Sequence, residues 1–365
     1  MAELNRIPVY SPLLDQEDFQ ALKQAFDSGW ISSKGPEIGH FESSIAKYAD
    51  FVYASSTSNG TTALHLAFAA LGTNTVSQVI APSMTYVASV TPALHLGANL
   101  NLVDVDPNTW LADFKSHNKI SDTDENSKRI YLSVDLFGNP VDLSNLRSTF
   151  GEGVKILSDS AESIGSKIRA CHAGNGSDIA TFSFFGNKTI TTGEGGMVCT
   201  NDKVLYSKVE KLKNQGLSLE REYFHDVAGF NFRMTNLQAA LGVSQLLKIE
   251  EILIAKKRVY DFYDANLDKH RFTRQVFTPG AKSSHWMCAF LADSESAKDR
   301  LRSNLALDGI ETRPFFTPLH MLPFLSHQQG AFPVSEDLWR RGFILPSSPN
   351  LNFSQLQRIV EKVNA

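Results

Sequence analysis

Lys155-Ile-Leu-Ser-Asp-Ser-Ala-Glu162 and Ile179-Ala-Thr-Phe-Ser-Phe-Phe-Gly-Asn-Lys188 each set a short apolar run just ahead of residues that can gain or lose a proton. Runs of this length read as strands rather than helices. The pattern recurs between about residue 50 and residue 200, in Gln78-Val-Ile-Ala81, Asn101-Leu-Val-Asp104, Arg129-Ile-Tyr-Leu-Ser-Val134 and Gly196-Met-Val-Cys199, with segments of helical period between most of them. Such alternation predicts an α/β fold, a sheet with helices on both faces.

The clearest helix is Thr61-Thr-Ala-Leu-His-Leu-Ala-Phe-Ala-Ala-Leu71, introduced by Ser58-Asn59-Gly60 and stopped by Gly72. It has a capping start and a glycine end. From Thr235 to about Lys269 there is no proline, and Leu237, Ala240, Leu241, Ser244, Leu247 and Ile254 keep an apolar face, so one long helix, whole or broken, is expected to join two domains. Beyond it, 285–291 reads as a strand, 297–307 as a helix and 354–363 as a last helix capped near Asn352, together a small α+β domain. The expected division is a large domain over 1–250 and a small one over 251–365, with residues 1–30 able to pack on the small domain. The polar run from Ser121 to Lys128 reads as a solvated loop.

Of 365 residues, 42% are hydrophobic and 20% charged, enough for a large core. A net charge of −4 offers no basic field for nucleic acid or an anionic membrane, so a small-molecule partner is expected. The first residues lack the basic start and apolar run of a signal peptide, and no stretch reaches the roughly 18 to 20 apolar residues of a membrane span. A cytoplasmic location is expected. Cys171, Cys199 and Cys288 are too far apart for a Cys-x-x-Cys metal site and read as reduced thiols, and no metal is expected. Walker, His-Glu-x-x-His, Gly-x-Ser-x-Gly and strand-following Gly-x-Gly-x-x-Gly patterns are absent from the sequence, which removes the common nucleotide, zinc-protease, hydrolase and dinucleotide readings.

What remains is an acid and a lysine at neighbouring strand ends. Asp159 closes one predicted strand, with Glu162 just after it. Lys188 follows another, 29 residues on, and leads into Thr191-Thr-Gly-Glu-Gly-Gly196. Ligands of open α/β sheets bind at the carboxyl ends of strands, so both side chains can meet over one pocket. Their types suit pyridoxal phosphate. That cofactor needs a lysine amine, a carboxylate that keeps its pyridine nitrogen protonated, and donors for a phosphate dianion. Gly60 and Thr61 offer backbone N–H groups at a helix start, where the dipole favours anions, Ser183 a hydroxyl, and Tyr86 a ring to stack on the pyridine. Singly, each has a plainer reading: a surface charge, a helix cap, a core tyrosine, or, for Gly193-Glu-Gly-Gly196, a turn needing positive φ. Their order along the chain favours the site.

The stretch Phe182-Ser-Phe-Phe-Gly-Asn-Lys-Thr-Ile-Thr-Thr-Gly-Glu-Gly-Gly-Met197 resembles the lysine motif of the DegT/DnrJ/EryC1/StrS family of nucleotide-sugar aminotransferases. The likeness extends to Asp27–Ser33, Ser58–Leu66, Pro82–Val90, Lys213–Gly216, Phe230–Leu237 and Arg313–His320, nearly the whole chain. The resemblance implies the fold type I (aspartate aminotransferase-like) architecture of PLP-dependent transferases: a mixed, mostly parallel seven-stranded sheet with a small C-terminal α+β domain. It further implies a homodimer with its active sites at the interface, L-glutamate as amino donor, and pyridoxamine phosphate as the aminated form of the cofactor between half-reactions.

Carried over residue by residue, it makes Lys188 the Schiff-base lysine, Asp159 the pyridinium partner, Gly60, Thr61 and Ser183 phosphate contacts, and Tyr86 the stacking ring. Asn231 would reach the phosphate of the other subunit. Glu162 would lie by the cofactor's 3-hydroxyl, where many relatives carry Gln or His. Arg313 and His320 resemble positions near the sugar-nucleotide entrance; a structural arginine and a packed histidine are the alternative. Gly193-Glu-Gly-Gly196 favours the branch that turns GDP-4-keto-6-deoxy-D-mannose into GDP-perosamine for cell-surface polysaccharide such as O-antigen. Amination of dTDP- or UDP-linked keto sugars, at C3 or C4, stays open, as does a non-catalytic regulatory homologue. A sugar-dehydrating branch carries His in place of the lysine, and Lys188 argues against it.

Overall fold

The computed structural model describes residues 6–115, 128–151, 153–218, 220–328 and 330–365. Of the polar run expected as a loop, all but Lys128 lies outside these residues, and Lys128 opens a strand. The first part of the chain carries β1 (Tyr53–Thr57), β2 (Ser77–Pro82), β3 (Asn99–Val103), β4 (Lys128–Val134), β5 (Lys155–Asp159), β6 (Lys167–Ile168), β7 (Cys171–His172), β8 (Ile179–Ser183) and β9 (Gly196–Thr200). Helices α1 (Gln16–Asp27), α2 (Pro36–Tyr48), α3 (Gly60–Ala70), α4 (Thr91–His95), α5 (Leu143–Phe150), α6 (Lys203–Lys213) and α7 (Asn236–Leu247) surround them. Seven strands form one sheet in the order β1-β9-β8-β5-β4-β2-β3, and β9 alone of these runs against the others.

Both faces of the sheet are apolar because both are covered. On β4, Ile130, Leu132 and Val134 join the core under α3, while Tyr131 points the other way, to Leu143 and Leu146 of α5. Toward β8, the second face packs Phe182 against Phe41 of α2 and Ala239 of α7. Each buried aromatic of this kind contributes about 1.5–3 kcal/mol, more than the few tenths that separate most helix propensities, so these layers decide the fold.

The sheet differs from expectation at β1. Tyr53-Ala-Ser-Ser-Thr57 has no apolar run, yet it is paired and buried. Its hydroxyls are satisfied from outside the strand: Ser55 Oγ donates to Glu210 Oε1 at 2.5 Å and Ser56 Oγ to Glu42 Oε1 at 2.7 Å.

The expected long helix is broken. α7 ends at Leu247 and α8 (Ile249–Asn266) begins two residues later. Neither Gly nor Pro sits at the break. Lys248 leaves helical geometry, at φ −109° and ψ 16°, with its ammonium on Asp15 and, at 2.6 Å, on the buried Asp18 of α1.

Beyond α8, strands β10 (Phe272–Arg274), β11 (Ala281–Lys282), β12 (Cys288–Ala292), β13 (Arg313–Pro314) and β14 (Gly342–Leu345) alternate with α9 (Glu295–Leu307), α10 (Pro333–Arg341) and α11 (Phe353–Asn364). A second, antiparallel sheet has the order β10-β12-β14-β13, and β11 joins β6 and β7 in a third. Ile7 bridges to Ile310, placing the start of the described chain on this part, while α1 packs on α7. One face of the second sheet closes on α8 and α11. The other, with Ala289, Leu291 and Ile344, meets Val9, Met84, Trp110, Phe137 and Trp286 in a core shared with the segments that follow β2, β3 and β4. The site lies beside that core.

Candidate active site

With six strands of the large sheet running one way, the turns after β1, β2, β4, β5 and β8 gather at one edge. A cavity of about 940 Å³ opens there, lined by Asn59, Gly60, Thr61, Tyr86, Ser89, Asp159, Glu162, Ser183, Lys188, Glu194, Trp286, Arg313 and Phe316 among others. It has room for more than one small molecule.

Asn59 caps α3, its side chain accepting from the amide of Thr62, and Thr62 Oγ1 accepts from the amide of Asn59 in return. The amides of Gly60 and Thr61 precede the first helical donor and stand at the cavity wall. Gly60 is needed there for closeness: a Cβ on it would lie 2.9 Å from Ser183 Cβ and 3.0 Å from its Oγ. The end of β8 and the start of α3 thus form one cradle of two amides and a hydroxyl, the donor set a phosphate requires. Gly196 serves it from behind, since a Cβ would meet Asn59 O at 2.4 Å. Gly193 alone of the Gly-Glu-Gly-Gly glycines takes positive φ, at +79°.

Asp159 ends β5, is buried, and accepts from Ser89 Oγ at 2.6 Å and from the amide of Ala161 at 3.2 Å. Burial pushes its carboxyl above the usual range, while Ser89, Ala161 and nearby Lys188 pull it back. Glu162, three residues on, accepts from the amide of Phe137 at 2.7 Å and faces Lys188 Nζ at 4.0 Å. Burial lifts it to about 7 against the pull of Lys188. Behind them Asp135 accepts from the hydroxyls of Ser160 and Ser163, which fixes the turn carrying Glu162. Burial raises it to about 6.

Lys188 sits in the turn after β8, its amide donating to Phe185 O at 2.9 Å. Burial lowers the pKa of its amine, against the carboxylates of Glu162 and Asp159. The amine also lies 4.1 Å from the centre of the Trp286 ring. A desolvated lysine beside two carboxylates is the setting of an amine that both bonds and moves protons.

Tyr86 is exposed at the wall, its ring 5.4 Å from that of Phe316. Arg313 lines the wall with an exposed side chain paired to Glu311 at 2.9 Å. His320 lies away from the lining: Nδ1 is 2.7 Å from Ser83 Oγ, Nε2 faces Glu336 at 3.5 Å, and its ring stacks on Phe332. Asn231 is exposed, bridged to Asn214, and lies outside its own chain's cavity.

Ser89, Asp135, Trp286 and Tyr10 went unread in the sequence. Two had a signal: Ser89 lies in the Pro82–Val90 stretch of the family likeness, and Trp286 is an aromatic in a recognised strand candidate. Among the described residues no cluster of His, Cys, Asp and Glu could hold a metal, and no helix is long and apolar enough to cross a membrane.

The amine, the buried carboxylate and the anion cradle together fit pyridoxal phosphate. Comparison with known proteins agrees. Residues 12–364 match the DegT/DnrJ/EryC1/StrS aminotransferase family. The chain is 40% identical to a GDP-perosamine synthase of Escherichia coli O157:H7, covering 98% of each chain, and 38% identical to that of Vibrio cholerae, covering 97% of each. Among solved structures, DesV of S. venezuelae superposes with a TM-score of 0.90 at 27% identity over 98% of both chains. A putative sugar aminotransferase of Streptococcus pneumoniae, Spr1654 in its PLP form, is alike in fold, with a TM-score of 0.91 at 24% identity and 98% of each chain covered.

Proposed function

The chain belongs to the DegT/DnrJ/EryC1/StrS aminotransferase family, and from that premise we propose that it transfers the amino group of L-glutamate to C4 of GDP-4-keto-6-deoxy-D-mannose, forming GDP-perosamine. The observation that carries the reaction class is the meeting of Lys188, Asp159 and the Gly60–Ser183 cradle in one cavity. The sugar rests on likeness to the GDP-perosamine synthases.

Bound pyridoxal phosphate supplies an electron sink and carries the amino group between substrates. Lys188 would hold it and, released as a free amine, take the proton from Cα of glutamate; burial lowers the pKa of that amine toward the free base, against the pull of Glu162 and Asp159. Asp159 would hold a proton on the pyridine nitrogen, its own charge preserved by Ser89 and Ala161. The amides of Gly60 and Thr61 and the hydroxyl of Ser183 would bind the phosphate, Glu162 would face the 3-hydroxyl, and Tyr86 would cover the ring. Phe316 and Trp286 line the wall beside it, where their rings would exclude water. Arg313 is the cation placed to meet the diphosphate of a sugar nucleotide.

We read Asn231, exposed on its own chain, as completing the phosphate site of a second copy in a homodimer. A panel of GDP-, dTDP- and UDP-linked 4-keto-6-deoxy sugars with glutamate, followed by 2-oxoglutarate release, tests the substrate. Turnover with the GDP sugar is expected; exclusive use of a dTDP or UDP sugar overturns that choice.

A further inference from the structure

Lys188 is held from the far side of its cavity by residues that belong to neither the large sheet nor its turns. Tyr10 Oη donates to the carbonyl of Lys188 at 2.8 Å, and Trp286 Nε1 donates to the carbonyl of Asn187, also at 2.8 Å. The indole therefore touches the lysine twice, through its N–H to the preceding peptide and through its face to the amine 4.1 Å away. Trp286 is itself held from behind by Lys256 of α8. This ammonium is fully buried, donates to Trp286 O at 3.0 Å and Ser347 O at 3.3 Å, and lies 4.8 Å from the ring of Tyr10. His285, at φ +48°, turns the chain just before Trp286, so β12 begins only at Cys288 and the indole swings to the cavity instead of lying in the sheet.

We propose that Trp286 is a positioning residue for the reacting amine, fixing where Lys188 points and favouring its ammonium form through the ring face, with Lys256 and Tyr10 bracing the clamp. The proposal rests on the reading of Lys188 as the cofactor lysine. An ammonium stripped of water is attracted to an aromatic face, most strongly to Trp and less to Phe. The ring thus opposes part of what burial does to this amine and keeps it from losing its proton too readily.

A graded series tests this on the full-length chain: wild type, Trp286→Phe and Trp286→Leu, freed of cofactor. Acetylation of Lys188 by a pulse of acetic anhydride is followed by peptide mass spectrometry across pH. The charged and titratable groups around the amine are the same in all three: Glu162 and Asp159 beside it, Asp135 behind them, Tyr10 at its carbonyl, Lys256 behind the indole, and Arg313 and Glu194 on the cavity wall. The pH of half-reaction should fall by about one unit in Trp286→Leu, a tenfold change in the proton equilibrium, and by less in Trp286→Phe. Trp286→Phe keeps most of the buried volume, so the comparison stands if the leucine variant does not fold. Coincident wild-type and Trp286→Phe profiles, or a folded Trp286→Leu that titrates as wild type, overturn the proposal. Protection of Lys188 by added pyridoxal phosphate is read in the same experiment on wild type. Its absence would count against the cofactor reading itself, whatever the series shows.

Discussion

Replacing Ser89 by Ala removes one hydroxyl that lies within the Pro82–Val90 stretch but carries no role from the family likeness. Ser89 Oγ donates to Asp159 Oδ2 at 2.6 Å, with Thr85 Oγ1 at 2.8 Å behind it, and the amide of Ala161 is left as the other donor to this carboxylate. A hydrogen bond to a charged acceptor contributes about 1.5–3 kcal/mol, and one this short is of the charge-assisted kind. Burial already drives the Asp159 carboxyl up, and Ser89 is the largest influence the other way. Its loss should raise the carboxyl further, by about one to two units at 1.36 kcal/mol per unit. Asp159 works as the carboxylate, so activity falls as pH drops through its pKa, and raising that pKa moves the acid limb of the profile toward neutrality. The assay is kcat/KM for L-glutamate from about pH 5 to 9, with Tm measured alongside. An acid limb displaced upward by about one unit or more in Ser89→Ala, and restored in Ser89→Thr, is expected. A limb that coincides with wild type in a folded Ser89→Ala would refute the role given to this hydrogen bond.

Gly60→Ala puts a Cβ 2.9 Å from that of Ser183, so the cradle must open. Affinity for pyridoxal phosphate, measured by fluorescence titration, should fall about tenfold or more, the loss of one charged hydrogen bond, while the Tm of the cofactor-free protein changes little. Glu162→Gln addresses pH and stability. Glu162 binds its proton more tightly folded, at about 7 against an ordinary 4.5, so its contribution favours the fold at low pH and is lost as pH rises between those values. In the cofactor-free protein Glu162→Gln should therefore gain stability relative to wild type over that window, read by urea unfolding at about pH 5 and pH 8; a difference independent of pH would contradict it. Asp18→Ala leaves the ammonium of Lys248 at the α7–α8 break with Asp15 alone and removes the acceptor of Ser244 Oγ and one of the two acceptors of Gln245 Nε2. Leaving Ser244 Oγ without its buried acceptor should cost about 1–3 kcal/mol in unfolding free energy, with cofactor affinity unchanged.

The chemistry of this chain was legible where it depends on position along one strand. Asp159 and Lys188 end up in one cavity because strands running the same way present their carboxyl ends together, and apolar runs mark those ends. The cap at Asn59 was equally plain, since capping is local. What escaped depends on distant partners. β1 hides because Ser55 is satisfied by Glu210, 155 residues away, and Ser56 by Glu42 on the separate helix α2. The break at Lys248 answers to Asp15 and Asp18, more than two hundred residues away. Asp135 gains its role only when β5 is set beside β4, and Ser89 only when the turn after β2 meets the end of β5. His320 illustrates the reverse, a motif residue that the fold spends on Ser83 and Phe332 rather than on the cavity.

The claim on which the rest depends is that Lys188 binds the cofactor. Reduction of the pyridoxal phosphate-loaded protein with borohydride, followed by digestion and peptide mass spectrometry, reads this directly. The added mass is expected on the peptide carrying Lys188 and to vanish in Lys188→Ala, which should keep its fold and lose turnover. Label on another buried lysine, Lys213 or Lys256, with Lys188 unmodified, would contradict it.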